Sequence, residues 1–292
     1  MIESLTGEAV FVFRDLAKNP NVLSARRYAQ FSEWVENAEK TRQGTSMSPR
    51  DRQANQYDKA EELITWNTFA PLLKVGPRVK DTLIVDMINL GLQKDAAEYL
   101  DEWGFNVQFE KTLPPPPSYL NHLRSTVANH PVRYLRLDAE GKETLEGDTH
   151  ADIVFENSRL LVLGEVKFMS DIQTGVTYDP NRNQLARLID TGVRAARNKK
   201  LAVILFSPES VYRSKSRLYY YKLKDYRESI ENLRADLPHR SLEEITKTFI
   251  GTGWVPLEFA ASTIHRTAVE QGLLVKEDSQ KFYEERKIKL SI

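Results

Sequence analysis

Ala151-Asp152-Ile153-Val154-Phe155-Glu156-Asn157-Ser158-Arg159-Leu160-Leu161-Val162-Leu163-Gly164-Glu165-Val166-Lys167 sets two carboxylates and a lysine into an otherwise apolar pattern. Ile153 to Phe155 and Leu160 to Val166 are rich in apolar, β-branched residues, with Asn157-Ser158 as a turn pair between them. The run therefore reads as a β-hairpin. A two-residue turn pairs Phe155 with Leu160 and Asp152 with Leu163. Paired residues share a face, and residues two apart on a strand share it too. Asp152, Glu165 and Lys167 are then expected on one side of the sheet, a parity that a three-residue loop without a bulge would break for Asp152 and Glu165.

That convergence has a chemical meaning. A carboxylate taken from water costs several kcal/mol, so two together call for a cation, a protonation shift or an exposed sheet edge. Mg²⁺ accepts one or two protein carboxylates together with waters and phosphate oxygens. A lysine two residues on has the reach to hold a phosphate or to orient an attacking water.

The Asp, the interval of about a dozen residues and the Glu-x-Lys at Glu165-Val166-Lys167 resemble the signature of the PD-(D/E)XK superfamily, the restriction-endonuclease-like nucleases. The resemblance spans Glu98 to Phe206, and Ala151 stands where the pattern's name has Pro. It implies a mixed central sheet flanked by helices, with Mg²⁺, or Mn²⁺ in its place, held by Asp152, Glu165 and the carbonyl of Val166. Gln184 resembles a glutamine that some branches carry near the metal. The Tyr that the exonuclease-like branch places four residues later is absent, since position 188 is Leu. The superfamily also often brings a helical Glu to the metal from before the first core strand. Glu98 is the candidate, with Glu102 and Glu62 as competitors and a plain surface glutamate as the alternative for each.

The surroundings agree in order. Asp179-Pro180 reads as a helix opening. Leu185, Leu188, Ile189, Val193 and Ala196 recur at helical spacing as a core stripe, and Gln184, Arg187, Thr191 and Arg194 form a polar one. Leu201 to Phe206 is a short apolar run suited to a buried parallel strand, which completes a hairpin, helix, strand succession. Upstream, Asp95 to Gly104 reads as a short helix and Asn106 to Glu110 as a strand, left by an extended connection at Pro114 to Pro117. Residues 1–93 read as a helical N-terminal region for recognition or dimerisation, 94–227 as the nuclease core, and 228–292 as a second helical region broken at Gly251-Thr252-Gly253 and Pro256. The polar stretch Arg42 to Arg52 reads as a loop.

Composition sets outer limits. Lys plus Arg and Asp plus Glu number 41 each over 292 residues, so net charge gives no pull toward nucleic acid. There is no Cys, which excludes disulfides and zinc-thiolate sites. No stretch has the length of a membrane span and the N-terminus has no signal-peptide pattern, so a cytoplasmic protein is expected. The five histidines have no metal-ligand spacing, and no P-loop, G-x-G-x-x-G or G-x-S-x-G motif occurs.

One segment is locally basic. Arg213, Lys215, Arg217, Lys222, Lys224 and Arg227 alternate with tyrosines between Val211 and Arg227. If it is a strand, Arg213, Lys215, Arg217 and Tyr219 share a face fit for phosphates and bases; the competing reading is a charged edge strand. The whole points to an α/β nuclease core with helical additions, a Mg²⁺-dependent DNA endonuclease of restriction or defence type acting as a homodimer. Two other readings stay open: a non-cleaving nucleic-acid-binding module on the same fold, and an interaction protein in which Asp152 and Lys167 form a salt bridge.

Overall fold

The computed structural model describes residues 13–29, 32, 58–96, 99, 104–175 and 178–292. Glu98, Glu102 and the Arg42 to Arg52 stretch lie outside the described residues, as does most of the helix expected over Asp95 to Gly104.

Five strands form one open mixed sheet in the order β1 (Asn106–Leu113), β2 (Thr149–Glu156), β3 (Leu160–Val166), β4 (Lys200–Ser207) and β5 (Phe249–Pro256). β2 runs antiparallel to both β1 and β3, while β4 lies parallel to β3 and β5 parallel to β4. Helices cover both faces, so the architecture is α/β. β3 is buried along its whole length, as a strand covered on both sides must be, and this is why its sequence is an unbroken apolar run.

The hairpin register differs from expectation by one step of the turn. Ile153 faces Gly164 and Glu156 faces Leu161, so Ser158 and Arg159 make the turn. The cause is Asn157, whose side-chain oxygen accepts the backbone N–H groups of Arg159 at 2.9 Å and Leu160 at 2.7 Å. This Asx turn places the reversal one residue later. Moving a two-residue turn by one position shifts the pairing by two, so every side chain keeps its face and Asp152 comes opposite Glu165.

On one face Ile153, Phe155, Val162, Ile204 and Phe206 pack against α1 (Asp58–Phe69), α2 (Pro77–Leu92), α5 (Leu257–Glu270) and α6 (Lys276–Glu284). On the other, Val154, Leu161, Leu163, Val203 and Leu205 meet α3 (Gln184–Ala196) and α4 (Leu218–Glu228). Burial of each such aliphatic side chain contributes roughly 1.5–3 kcal/mol. The stripe Leu185, Leu188, Ile189, Val193 and Ala196 is buried as expected. Gly192 lets α3 approach closely, since a Cβ there would sit 2.8 Å from Leu163 Cδ1.

Two expectations are corrected. Helix α3 opens at Gln184, with Asn183 as its cap accepting the Ala186 N–H at 3.0 Å, and not at Asp179-Pro180. Asp179 instead accepts from the N–H of Asn181 at 3.0 Å and the hydroxyl of Tyr119 at 3.1 Å. The C-terminal region is not wholly helical, for Gly251, Thr252, Gly253 and Pro256 lie in β5. These glycines mark close packing: a Cβ on Gly253 would fall 1.7 Å from the Gly91 carbonyl oxygen of α2. Ile84, Phe155 and Phe282, one from each of the three regions read in the sequence, belong to one apolar cluster.

Candidate active site where β2 and β3 part

The β2–β3 ladder stops at the Ile153–Gly164 pair. At the next position Asp152 Oδ2 accepts the Val166 N–H at 2.7 Å, so the carboxylate takes the place of a strand partner. Glu165 is 3% exposed and its Oε1 receives Lys167 Nζ at 2.9 Å and Gln184 Nε2 at 2.6 Å. Its Oε2 is buried with no partner. The Gln184 amide is oriented from behind, since its own Oε1 accepts the Gln173 N–H at 3.2 Å. Glu165, Lys167 and Gln184 are thus in direct contact, with Asp152 beside them on the Val166 N–H. Lys167 pairs with Glu165, so the Asp152–Lys167 salt bridge of the interaction-protein reading is not the contact formed.

Two acids absent from the sequence-based candidates join the group. Glu61, near the start of α1, lies 3.7 Å from Lys167 Nζ through Oε2. Its Oε1 accepts the N–H of Phe168 at 2.8 Å, the N–H of Ser170 at 3.3 Å and the Ser170 hydroxyl at 2.6 Å. The neighbouring Glu62, a named competitor, faces Arg27 at 3.9 Å instead. Glu110, on β1 and buried, pairs with Arg27 at 3.2 Å. Helical phase after an α1 start at Asp58 separates Glu61 from Glu62, but nothing local reveals which strand residue of β1 reaches inward.

Burial and mutual repulsion set the protonation of these groups. The Asp152 carboxyl is pushed well above the usual range, first by burial and then by Glu165 and Glu110, with Lys167 and the Val166 N–H opposing. Burial also raises Glu165, with Lys167 holding it back. For Lys167, burial works against the charge, but Glu165, Asp152 and Glu61 outweigh it and keep the ammonium charged far above neutral pH. Buried carboxylates that repel one another and share one lysine are poised for more positive charge. Among the described residues, no three His, Asp or Glu side chains form a preformed metal cage. The donors nonetheless suit a hard dication, being carboxylate and carbonyl oxygens with one buried carboxylate oxygen unsatisfied.

The basic segment is not a strand. Glu209–Arg213 is a short helix, and α4 follows at Leu218. Arg213 is exposed and paired with Glu209 at 2.6 Å, and exposed Lys215 lies 5.7 Å from the centroid of the Tyr220 ring. Arg217 donates to the Met169 carbonyl at 2.6 Å, while Tyr219 is wholly buried and stacks on Tyr212. Tyr219 thus cannot stack on a base, and Arg217 is a strut for the loop after Lys167. Asp171 strengthens that strut by accepting the N–H groups of Leu218 at 2.6 Å and Tyr219 at 3.2 Å, which caps α4 from a distance. His150 sits beside Thr112 at 3.1 Å.

No protein-family model, curated protein or solved structure matches the chain. Among the described residues no helix is long and apolar enough to cross a membrane.

Proposed function

We infer that the chain is a Mg²⁺-dependent DNA endonuclease with a restriction-endonuclease-like core, of restriction or defence type. The observation that carries the reading is the group of half-buried Asp152 with buried Glu165 and Lys167, in which one Glu165 oxygen is left unsatisfied. An unpaired buried acceptor costs about 1–3 kcal/mol, a cost that a cation bound at this oxygen would offset.

Asp152, Glu165 and the Val166 carbonyl would hold Mg²⁺, or Mn²⁺ in its place. When bound, the ion supplies charge to the scissile phosphate and acidifies a water for attack. Lys167, held charged in the metal-free chain by Glu165, Asp152 and Glu61, would stabilise negative charge developing on the phosphate or help to activate the attacking water. Gln184 is a positioning residue: it fixes Glu165 Oε1 and leaves Oε2 for the ion. Glu61 holds both Lys167 and the 168–170 loop. Exposed Arg213 and Lys215 remain available to phosphates, and a homodimer would supply the second centre that cutting both strands calls for.

The test is incubation of the pure protein with plasmid, linear and single-stranded DNA, in Mg²⁺ or in chelator, beside Asp152→Ala and Glu165→Ala. Cleavage in Mg²⁺ alone that both substitutions abolish, with circular dichroism unchanged, is expected. Binding without any cleavage would favour the non-cleaving module, and near-normal cleavage by both variants would remove the assignment.

A further inference from the structure

Glu110 occupies the register position between the Phe109–Ile153 and Lys111–Ala151 pairs, directly across β1 and β2 from Asp152. Asp152 in turn stands across β2 and β3 from Glu165. Three carboxylates on three adjacent strands therefore form one row. Glu110 itself is missing from the β1–β2 ladder and has a left-handed backbone, φ 51°. In this region a residue with a Cβ is strained, and a glycine is the ordinary occupant. The side chain is 6% exposed. A buried acid on a strained strand position is a poor choice for stability, even with Arg27 3.2 Å from its Oε2. A second observation lies in the same row: Glu165 Oε2 is buried and has no partner among the protein groups.

We propose that Glu110 is a third carboxylate of the divalent-cation site, standing across from Asp152 at the left-handed break in β1 and held in place by Arg27. This rests on the nuclease reading for the cation itself, but assigns a residue that the Asp, Glu-x-Lys pattern does not contain. The register alone puts position 110 on the face of Asp152, and the left-handed break takes Glu110 out of the ladder pairing at that point.

The test measures Mg²⁺ and Mn²⁺ binding by calorimetry, and the rise of Tm on adding either ion, for the wild-type chain, Asp152→Ala, Glu110→Gln and Glu110→Gly. The glycine variant fits φ 51° without strain, so it guards against a folding defect in the glutamine variant, and its Tm in chelator should exceed that of the wild type. Both Glu110 variants should bind the cation at least about tenfold more weakly, with the ion-induced Tm rise reduced to match. Unchanged affinity in both, alongside lost binding in Asp152→Ala, overturns the role of Glu110 and leaves the nuclease reading standing. No binding by the wild type overturns both.

Discussion

At the residue scale, the roles of Lys167 and Glu165 separate by measurement. Lys167 shares Glu165 Oε1 with Gln184 and is no ligand itself, so Lys167→Ala should hold or raise Mg²⁺ affinity in calorimetry. Turnover should fall by about two orders of magnitude or more, the scale for losing one transition-state charge contact. Reduced affinity with unchanged turnover at saturating Mg²⁺ would contradict this. The acid row also predicts a pH dependence for the metal-free protein. Burial pushes the Glu110 carboxyl up from 4.5 to about 7, with Arg27 opposing and Glu165 adding. Between those values the folded chain holds a proton that the unfolded chain has released. The contribution to stability is whole below about 4.5 and is lost as pH rises through about 7. In chelator, the Tm of the wild type relative to Glu110→Gln should therefore fall as pH is raised from about 5.5 to about 8. A difference that does not move with pH would show that this carboxyl does not titrate there. Asp152, Glu165 and Lys167 were legible in the sequence because strand parity fixes which side chains share a face, and Gln184 was legible through the superfamily resemblance. Glu61 and Glu110 were not. The first required knowing which turn of α1 faces the loop after β3, and the second depends on the β1–β2 register, which no local composition announces.

At the scale of the element, α3 is the part that aims Gln184, and its N-terminus is fastened by charge. Arg182, fully buried, donates to Glu146 at 3.1 and 3.0 Å and to Asp190 at 2.8 Å, and Arg240 also reaches Asp190. Asn183 then caps the helix. Asn183→Ala should cost about 1 kcal/mol in chemical denaturation. Arg182→Ala should cost about 3–5 kcal/mol, because it breaks a buried charge network and leaves Glu146 to Arg187 alone and Asp190 to Arg240 and His239. If Gln184 matters through its position, the cap variant should lose turnover while Mg²⁺ affinity changes little, and equal turnover would detach the cap from the site. The α4 region makes a contrasting prediction. Arg213→Gln with Lys215→Gln should flatten the dependence of log DNA affinity on log salt by roughly 0.9 per lost phosphate contact, whereas Arg217→Gln should leave that slope alone. The reason is that Arg217 serves the Met169 carbonyl. Here the sequence misled: alternating Arg, Lys and Tyr looks the same on a strand as in two short helices joined by a turn, where a left-handed Lys215 breaks the period.

At the scale of the whole molecule, the hairpin, helix and parallel strand were readable because a covered strand must be apolar and a crossover needs a helix between its strands. β5 was hidden because its glycines, which usually end elements, serve here to let α2 approach. The consequence concerns how the chain comes to be folded. The apolar face formed by Ile153, Phe155, Ile204 and Phe206 is closed by α1 and α2 from the early part of the chain and by α5 and α6 from its last part. His265 and Tyr283 fasten this closure, bonding the Asn67 carbonyl at 2.9 Å and the Thr68 hydroxyl at 2.9 Å across about two hundred residues. Such distant contacts must be made before the sheet is shielded from water, so assembly is slow to commit and all but indivisible. During synthesis, a ribosome that has finished β1 to β4 has made every acid in the row and the lysine beside it, yet carries no means of holding them together. Competence to act would arrive late and at once, with the emergence of the final helices.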